Sequence, residues 1–319
     1  VILFVDKNDG KDTFNPKATK SYPLKNFSKS YKAKLLLFGE YTVTLGGSAL
    51  AVPLPHYSGK WQIGNYSKPY AEKLHDFAVY VAAMKNWGFS DKELKAFEQM
   101  LHEGLQFKSE IPEGYGLGSS GALVAGFYDT FFTVKEDLQL SELKALLGRM
   151  ESFFHGKSSG IDPLVSYLDQ TVFTRGEDVM VSDTDPLRNP ELSYFLIDTG
   201  IQRSTSHWVN IFREKMANDP SFHEAIRRLE KINDSIIDAL RNNNVKEIYA
   251  KFRPISEIQY RAFFDFIPEE FREVWKKGID TDRYLLKLCG AGGGGMLLGL
   301  TRELEGITEP TFHFDIVQI

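Results

Sequence analysis

Glycine is spread unevenly along this chain. Of its 26 glycines, five fall between Gly114 and Gly126 and six between Gly290 and Gly299. Glycine lets the backbone take positive φ and lets another group approach within a side chain's width, so a cluster marks a tight loop against a ligand or a second backbone. Both clusters border apolar runs: Gly121 to Phe132 closes the first, and Tyr284 to Leu288 and Met296 to Leu300 flank the second. The chain must therefore fold with two glycine loops held between buried elements. Its 319 residues suffice for about two domains with cores of their own.

Two generic nucleotide patterns fit such loops too easily to carry weight. Gly116-x-Gly118-x-x-Gly121 and Gly290-x-Gly292-x-x-Gly295 both match the dinucleotide fingerprint. That fingerprint needs a buried strand just upstream, and Lys108-Ser109-Glu110-Ile111-Pro112-Glu113 cannot supply it. Gly156-Lys157-Ser158 ends like a Walker loop, but Glu151 stands where its first glycine belongs. A net charge of −5 argues against a general nucleic-acid binder. Cys289 is the only cysteine, which excludes an intrachain disulfide and a cysteine metal cluster and suits a small buried hydrophobe. No apolar run approaches the ~20 residues of a membrane span, and Val1 to Val5 is too short for a signal-peptide core. The expectation is a cytoplasmic protein with no nucleic-acid or membrane partner, preceded by a polar extension over residues 1–30 that carries no assigned function.

Periodicity supplies a coarse map. Leu35-Leu36-Leu37-Phe38 predicts a buried strand, and Ala49 to Leu54 a second one after the Gly46-Gly47 turn. Residues 69–103 read as helical, as do Gly121 to Phe132, Ser141 to Phe154 and a segment from about Leu164. Tyr194 to Asp198 predicts a strand, 221–243 an amphipathic helix, and 245–277 further helix interrupted near Pro254 and Pro268. The mixture indicates an α+β protein, with a junction between Pro186 and Pro190.

The first glycine loop has a chemical reading of its own. In Gly114-Tyr115-Gly116-Leu117-Gly118-Ser119-Ser120-Gly121 the glycines allow successive N–H groups to converge on an anion. The helix that follows adds its free N–H groups and positive dipole end, which together make a phosphate site. Ser119 and Ser120 can cap that helix or contact Mg2+.

At this point the motifs resemble a known family. Gly116-Leu117-Gly118-Ser119-Ser120 resembles the central motif of the GHMP kinases, which include galactokinase, homoserine kinase, mevalonate kinase and phosphomevalonate kinase. Lys34 to Tyr41 followed by Gly46-Gly47-Ser48-Ala49-Leu50-Ala51 resembles the family's first motif, and Lys287 to Gly295 its third, in the right order. Within the family, His155-Gly156-x-x-Ser159-Gly160-Ile161-Asp162 is most similar to the mevalonate kinases, and so is Asp198-Thr199-Gly200 through Arg203-Ser204-Thr205.

The resemblance implies a two-domain GHMP kinase fold, with a ribosomal S5 domain 2-like domain over residues 31–188 and a ferredoxin-like domain over 189–319. It implies ATP-dependent phosphorylation of the primary hydroxyl of mevalonate or a related alcohol, with Mg2+ as the metal. Asp162 would face the substrate hydroxyl and Lys34 would stand beside it as the second catalytic group. Gly114, Tyr115, Gly116, Leu117, Gly118, Ser119 and Ser120 would bind the nucleotide, and Ser120 and Glu151 the metal. Glu40, Tyr41, Ser159 and Gly292 would line the substrate, and His155 would be structural. The chain departs from the pattern at Tyr41, where mevalonate kinases usually carry His, and Gly39-Glu40-Tyr41 is common in phosphomevalonate kinases. Phosphomevalonate kinase and a sugar kinase therefore stay open as alternatives. A non-catalytic sensor on the same fold has no need of Lys34, Ser120, Glu151 and Asp162 together. Oligomeric state is open, a homodimer included.

Overall fold

The computed structural model describes residues 27–65, 67–84, 88–132, 138–303 and 315–319. Most of the expected extension, residues 1–26, lies outside the described residues. Residues 27–30 already join the fold: Phe27 packs against the core, and Lys29 Nζ sits 3.1 Å from Asp129 Oδ2.

Two sheets organise the chain. The first holds β1 (Ser30–Phe38), β2 (Ala49–Ile63), β3 (Leu105–Ser109), β4 (Thr171–Arg175) and β5 (Asp178–Ser182). Its order is β1-β2-β4-β5, with β3 also on β2, and every pairing is antiparallel. Helices α1 (Lys68–Ala83), α2 (Asp91–His102), α3 (Ser119–Phe131), α4 (Leu140–His155) and α5 (Ile161–Leu168) belong to the same part of the chain. An aromatic core joins them, with Trp61 edge-on to Phe97, Phe107 and Phe131 at ring separations of 5.1–6.1 Å.

The second sheet has β6 (Ser193–Asp198), β7 (Leu285–Leu288), β8 (Met296–Thr301) and β9 (Ile316–Gln318) in the order β7-β8-β6-β9, again antiparallel throughout. Counted within this sheet the order is 2-3-1-4, that of a ferredoxin-like sheet. Helices α6 (Thr205–Asn218), α7 (Pro220–Arg241), α8 (Val245–Ala262) and α9 (Glu269–Thr281) lie between β6 and β7 in sequence. The α+β class expected from sequence is thus the observed one. No helix among the described residues is long and apolar enough to cross a membrane.

Several local expectations need correction. The stretch 69–103 is two helices, and the second starts at a capping box in which Ser90 and Glu93 satisfy each other's backbone N–H groups. Ser119 and Ser120 do not cap α3: its N-cap is Gly118 in the left-handed region, and the Ser120 hydroxyl turns elsewhere. Helix α5 begins at Ile161, so Asp162 sits inside its first turn. Pro163 is tolerated there because an N–H in that turn would have no helical partner. Pro254 lies within α8 and does not interrupt it, whereas Pro268 does mark a break, as the N-cap of α9.

One buried ion pair ties the two sheets together. Glu40, just after β1, meets Lys287 of β7 with Nζ 2.5 Å from Oε1, and both side chains are almost wholly buried. Burial pushes the Glu40 carboxyl up while the Lys287 ammonium pulls it back. Lys287 also donates to the Leu288 carbonyl at 2.7 Å. Removing one partner of such a pair strands the other charge, at a cost of about 3–5 kcal/mol, whereas removing both is far milder. Lys287→Met is therefore expected to lose about that much in urea unfolding, and Glu40→Gln combined with Lys287→Met to recover most of it. A single variant as stable as the parent would show that the pair does not hold the sheets.

Candidate active site

The site grows from the edge of the first sheet. The β1–β2 register slips between Lys32 and Ala33 and again before Phe38, so Lys34 lies on a bulged stretch, the kind of irregularity that re-aims a side chain. Its backbone N–H donates to the Leu117 carbonyl at 2.9 Å, which fastens the glycine loop to the strand. Its ammonium reaches Asp162 Oδ1 at 2.9 Å. Lys34 is buried, while the Asp162 side chain keeps 30% of its surface open, so the carboxylate has a face free for a ligand.

Glycine sets these distances. A Cβ on Gly118 would stand 2.8 Å from Lys34 Cγ, and one on Gly121 would stand 2.9 Å from Asp162 Cβ and Pro163 N. Any larger residue at Gly121 would drive α3 and α5 apart and carry Asp162 away from the loop.

A second cluster lies at the first turn of α3. Ser120 Oγ donates to Glu151 Oε1 at 2.8 Å and lies 2.9 Å from His155 Nε2, and Ser158 Oγ hydrogen-bonds Glu151 Oε2. Glu151 is buried on α4, and burial, reinforced by the charge of Asp162, pushes its carboxyl up to about 7. Burial pushes the His155 imidazole down. Sequence gave Ser158 no role, and only its serine-rich turn hinted at one.

The two glycine loops meet. A Cβ on Gly295 would touch the Tyr115 backbone at 2.7 Å, and the Arg203 guanidinium fits between Gly116 and Gly290. The residues expected to line the substrate are less uniform. Ser159 lies beside α5, its Oγ accepting from the Ile161 N–H at 3.4 Å. Glu40 is engaged by Lys287. Tyr41 holds φ +61, a region that side chains seldom occupy. It donates its hydroxyl to the Ala291 carbonyl at 2.7 Å and stacks on Phe212 at 4.2 Å. Gly292 packs on Phe266, where a Cβ would come within 3.0 Å. Lys287 and Arg203 were legible only as motif members. A lone charge inside Leu285-Leu286-Lys287-Leu288 was the available signal for a buried counterion.

The chain is similar to known proteins over most of its length. Residues 78–170, which carry the glycine loop, Glu151 and Asp162, match the GHMP kinases N terminal domain. The mevalonate kinase of Thermococcus gammatolerans is 26% identical over 308 residues, covering 86% of this chain and 89% of the relative. Over most of its length the chain is similar to mevalonate kinases, and residues 78–170 resemble the GHMP kinase N-terminal domain. Among similar solved structures, L. major mevalonate kinase in complex with R-mevalonate superposes with a TM-score of 0.61 at 17% identity, covering 95% of this chain and 97% of that one. Streptococcus pneumoniae phosphomevalonate kinase in complex with phosphomevalonate and AMPPNP gives 0.63 at 15% identity, covering 91% and 99%. At these identities the likeness speaks for the shared fold.

The donor set of this site suits a hard divalent cation shared with phosphates. Among the described residues no group of three or more His, Cys, Asp or Glu could hold a metal alone. Ser120 and Glu151 offer two oxygens, and Mg2+ usually takes one or two protein oxygens and completes its shell with phosphate and water. A buried carboxylate pushed up to about 7 is also a group that a cation would relieve.

That displacement makes a sign-specific prediction. With its pKa raised from 4.5 to about 7, the Glu151 carboxyl contributes stability below pH 4.5 that is lost as pH rises through 7. Glu151→Gln, which never ionises, should therefore melt above the parent at pH 8 by roughly 2–4 °C in metal-free buffer, with a smaller difference at pH 5. An equal difference at both pH values would show that the folded protein does not penalise this carboxylate.

Proposed function

We propose that this protein is an ATP-dependent kinase that phosphorylates the primary hydroxyl of mevalonate. The observation that carries the reading is the Lys34–Asp162 pair at 2.9 Å, set against the end of the glycine loop and the start of α3 with one carboxylate face open. The resemblance of His155 to Asp162 to mevalonate kinases, and the relative named above, supply the substrate. Phosphoryl transfer is mainly positioning and charge stabilisation, and the residues divide that work.

Asp162 would orient the alcohol and accept its proton. Lys34 holds that carboxylate in place and counters charge that develops on the transferred group. The N–H groups of Gly116 to Ser120 and the start of α3 would cradle the phosphates, with Gly114 and Tyr115 at the loop's entrance. Ser120 and Glu151 would hold Mg2+, which when bound neutralises charge on the phosphate oxygens. The Ser120–Glu151 hydrogen bond keeps both oxygens side by side on adjacent helices. In this reading residues 31–188 form the nucleotide-binding domain and 189–319 its partner, with the acceptor between them.

A second reading, phosphomevalonate kinase, draws support from Tyr41 in Gly39-Glu40-Tyr41. An ADP-release assay with mevalonate, phosphomevalonate and galactose separates the two. Mevalonate is expected to be turned over fastest, and turnover of phosphomevalonate without mevalonate would hand the assignment to the second reading. In the same assay Asp162→Asn should lower kcat by roughly 10²–10⁴-fold while ATP affinity stays within a few-fold. Near-normal kcat in that variant would remove Asp162 from the mechanism.

A further inference from the structure

Helix α5 meets the strand that carries Lys34 through three polar contacts, and only one of them belongs to the chemistry described so far. Asp162 reaches the Lys34 ammonium at 2.9 Å. One turn further along the helix, Ser166 donates its hydroxyl to the Lys32 carbonyl at 2.8 Å. At the end of the helix the Lys32 ammonium lies 2.7 Å from Asp169, an exposed pair of the kind that holds little. Ser166, by contrast, is only 1% exposed. A serine inside a helix commonly turns back to the carbonyl four residues earlier, here that of Asp162. This one reaches across to β1 instead.

The strand has need of such a hold. In the β1–β2 register Lys32 stands opposite Ser58 and Ala33 opposite Leu54, so residues 55–57 of β2 are skipped between two consecutive residues of β1. Lys34 then faces Pro53, which has no N–H to give. β1 also ends the strand order of its sheet. The ladder therefore fixes β1 weakly just where the strand presents Lys34. Two groups from outside the sheet hold it there: the Leu117 carbonyl accepts the Lys34 N–H at 2.9 Å, and Ser166 donates to the Lys32 carbonyl.

The steps of helix and strand match across this contact. Four residues of α-helix rise roughly 6 Å, and two residues of strand advance about 6.6 Å. The span from Asp162 to Ser166 thus fits the span from Lys34 to Lys32, with helix and strand running in opposite directions. On its other flank α5 stops against α3, where a Cβ on Gly121 would stand 2.9 Å from Asp162 Cβ. That contact sets how closely α5 approaches the loop. Apolar packing has no direction, whereas a hydrogen bond does. The Ser166 bond accordingly sets where α5 lies along β1.

We propose that Ser166 is a positioning residue for phosphoryl transfer: its bond to the Lys32 carbonyl holds α5 and β1 in the register that brings Lys34 to Asp162. The proposal rests on the kinase reading above. Ser166 acts through Lys34 and not on the acceptor, so its loss misaligns the reacting groups without removing a contact to either substrate.

The test is a double-mutant cycle of the wild-type protein, Ser166→Ala, Lys34→Met and the two combined, each first checked by thermal melting. Rates are taken as single turnovers of mevalonate with enzyme in excess, which keeps the slow variants readable, and KM is measured for wild type and Ser166→Ala. Ser166→Ala is expected to lower the rate on the order of 10-fold to 100-fold, with KM for ATP and for mevalonate each within about threefold. In the Lys34→Met background the same substitution should cost less than about twofold, because the group it positions is gone. A rate in Ser166→Ala within about twofold of wild type, whatever its melting temperature, would leave Ser166 a packing residue and overturn the proposal. So would an equal loss in both backgrounds, which would show that Ser166 does not act through Lys34. If Ser166→Ala does not fold, Ser166→Cys, of nearly the same shape with only a weak S–H donor, takes its place under the same expectations. The kinase reading fails on a different result, no turnover of mevalonate by the wild-type protein. The cycle is then run on whichever alcohol is turned over, and the absence of any turnover overturns the role of Ser166 as well.

Discussion

The near-contact of α3 with α5 and with β1 is the constraint on which the site depends. At Gly121 the α3 backbone lies so close to Asp162 and Pro163 that a single methyl group would have no room, and at Gly118 the same holds against the Lys34 stem. These approaches put the start of a helix, an aspartate and a lysine within one ion-pair distance. Hydrophobic burial alone would not choose so tight a spacing. It supplies the force, through Val124, Phe127, Leu164 and Val165, and the absent side chains decide where the elements stop.

Around that contact the protein keeps several costly features close together. Glu151 is ionisable and buried, Arg203 is a buried cation with weak partners, and Tyr41 holds a left-handed backbone. Strain and poorly satisfied charge concentrated in one cleft are the mark of a site arranged for a ligand and not for stability. Several buried polar groups elsewhere are paired. Trp275 Nε1 donates to Ser256 Oγ at 2.9 Å, and Gln259 Oε1 accepts from the Leu288 N–H at 2.7 Å.

Much of this was legible in the sequence because composition marked it locally. The strand at Lys34, the loop from Gly114 to Ser120 and the turn before Asp162 each announce themselves within a few residues. The ferredoxin-like sheet was expected only through the family likeness. Its third and fourth strands, β8 and β9, are separated by residues 302–315, and no short-range pattern discloses that both flank β6. The partners of Lys287 and Arg203 were hidden for the same reason: Glu40 lies 247 positions from Lys287, and Cys289 lies 86 from Arg203. Ser120 misled in the opposite way. A serine at a helix start favours capping, but Gly118 takes the cap position and a buried carboxylate claims the hydroxyl.

The Glu40–Lys287 pair has a consequence for how the molecule melts. Its two charges belong to different sheets, and neither side chain has access to water. Separating the sheets while each stayed folded would leave a lone carboxylate on one and a lone ammonium on the other. It would also expose the face on which Tyr41 stacks against Phe212 and Phe263. The half-melted species is thus penalised twice, once by charge and once by apolar surface. Calorimetry would see one cooperative transition spanning both sheets, because neither is a free-standing thermodynamic unit.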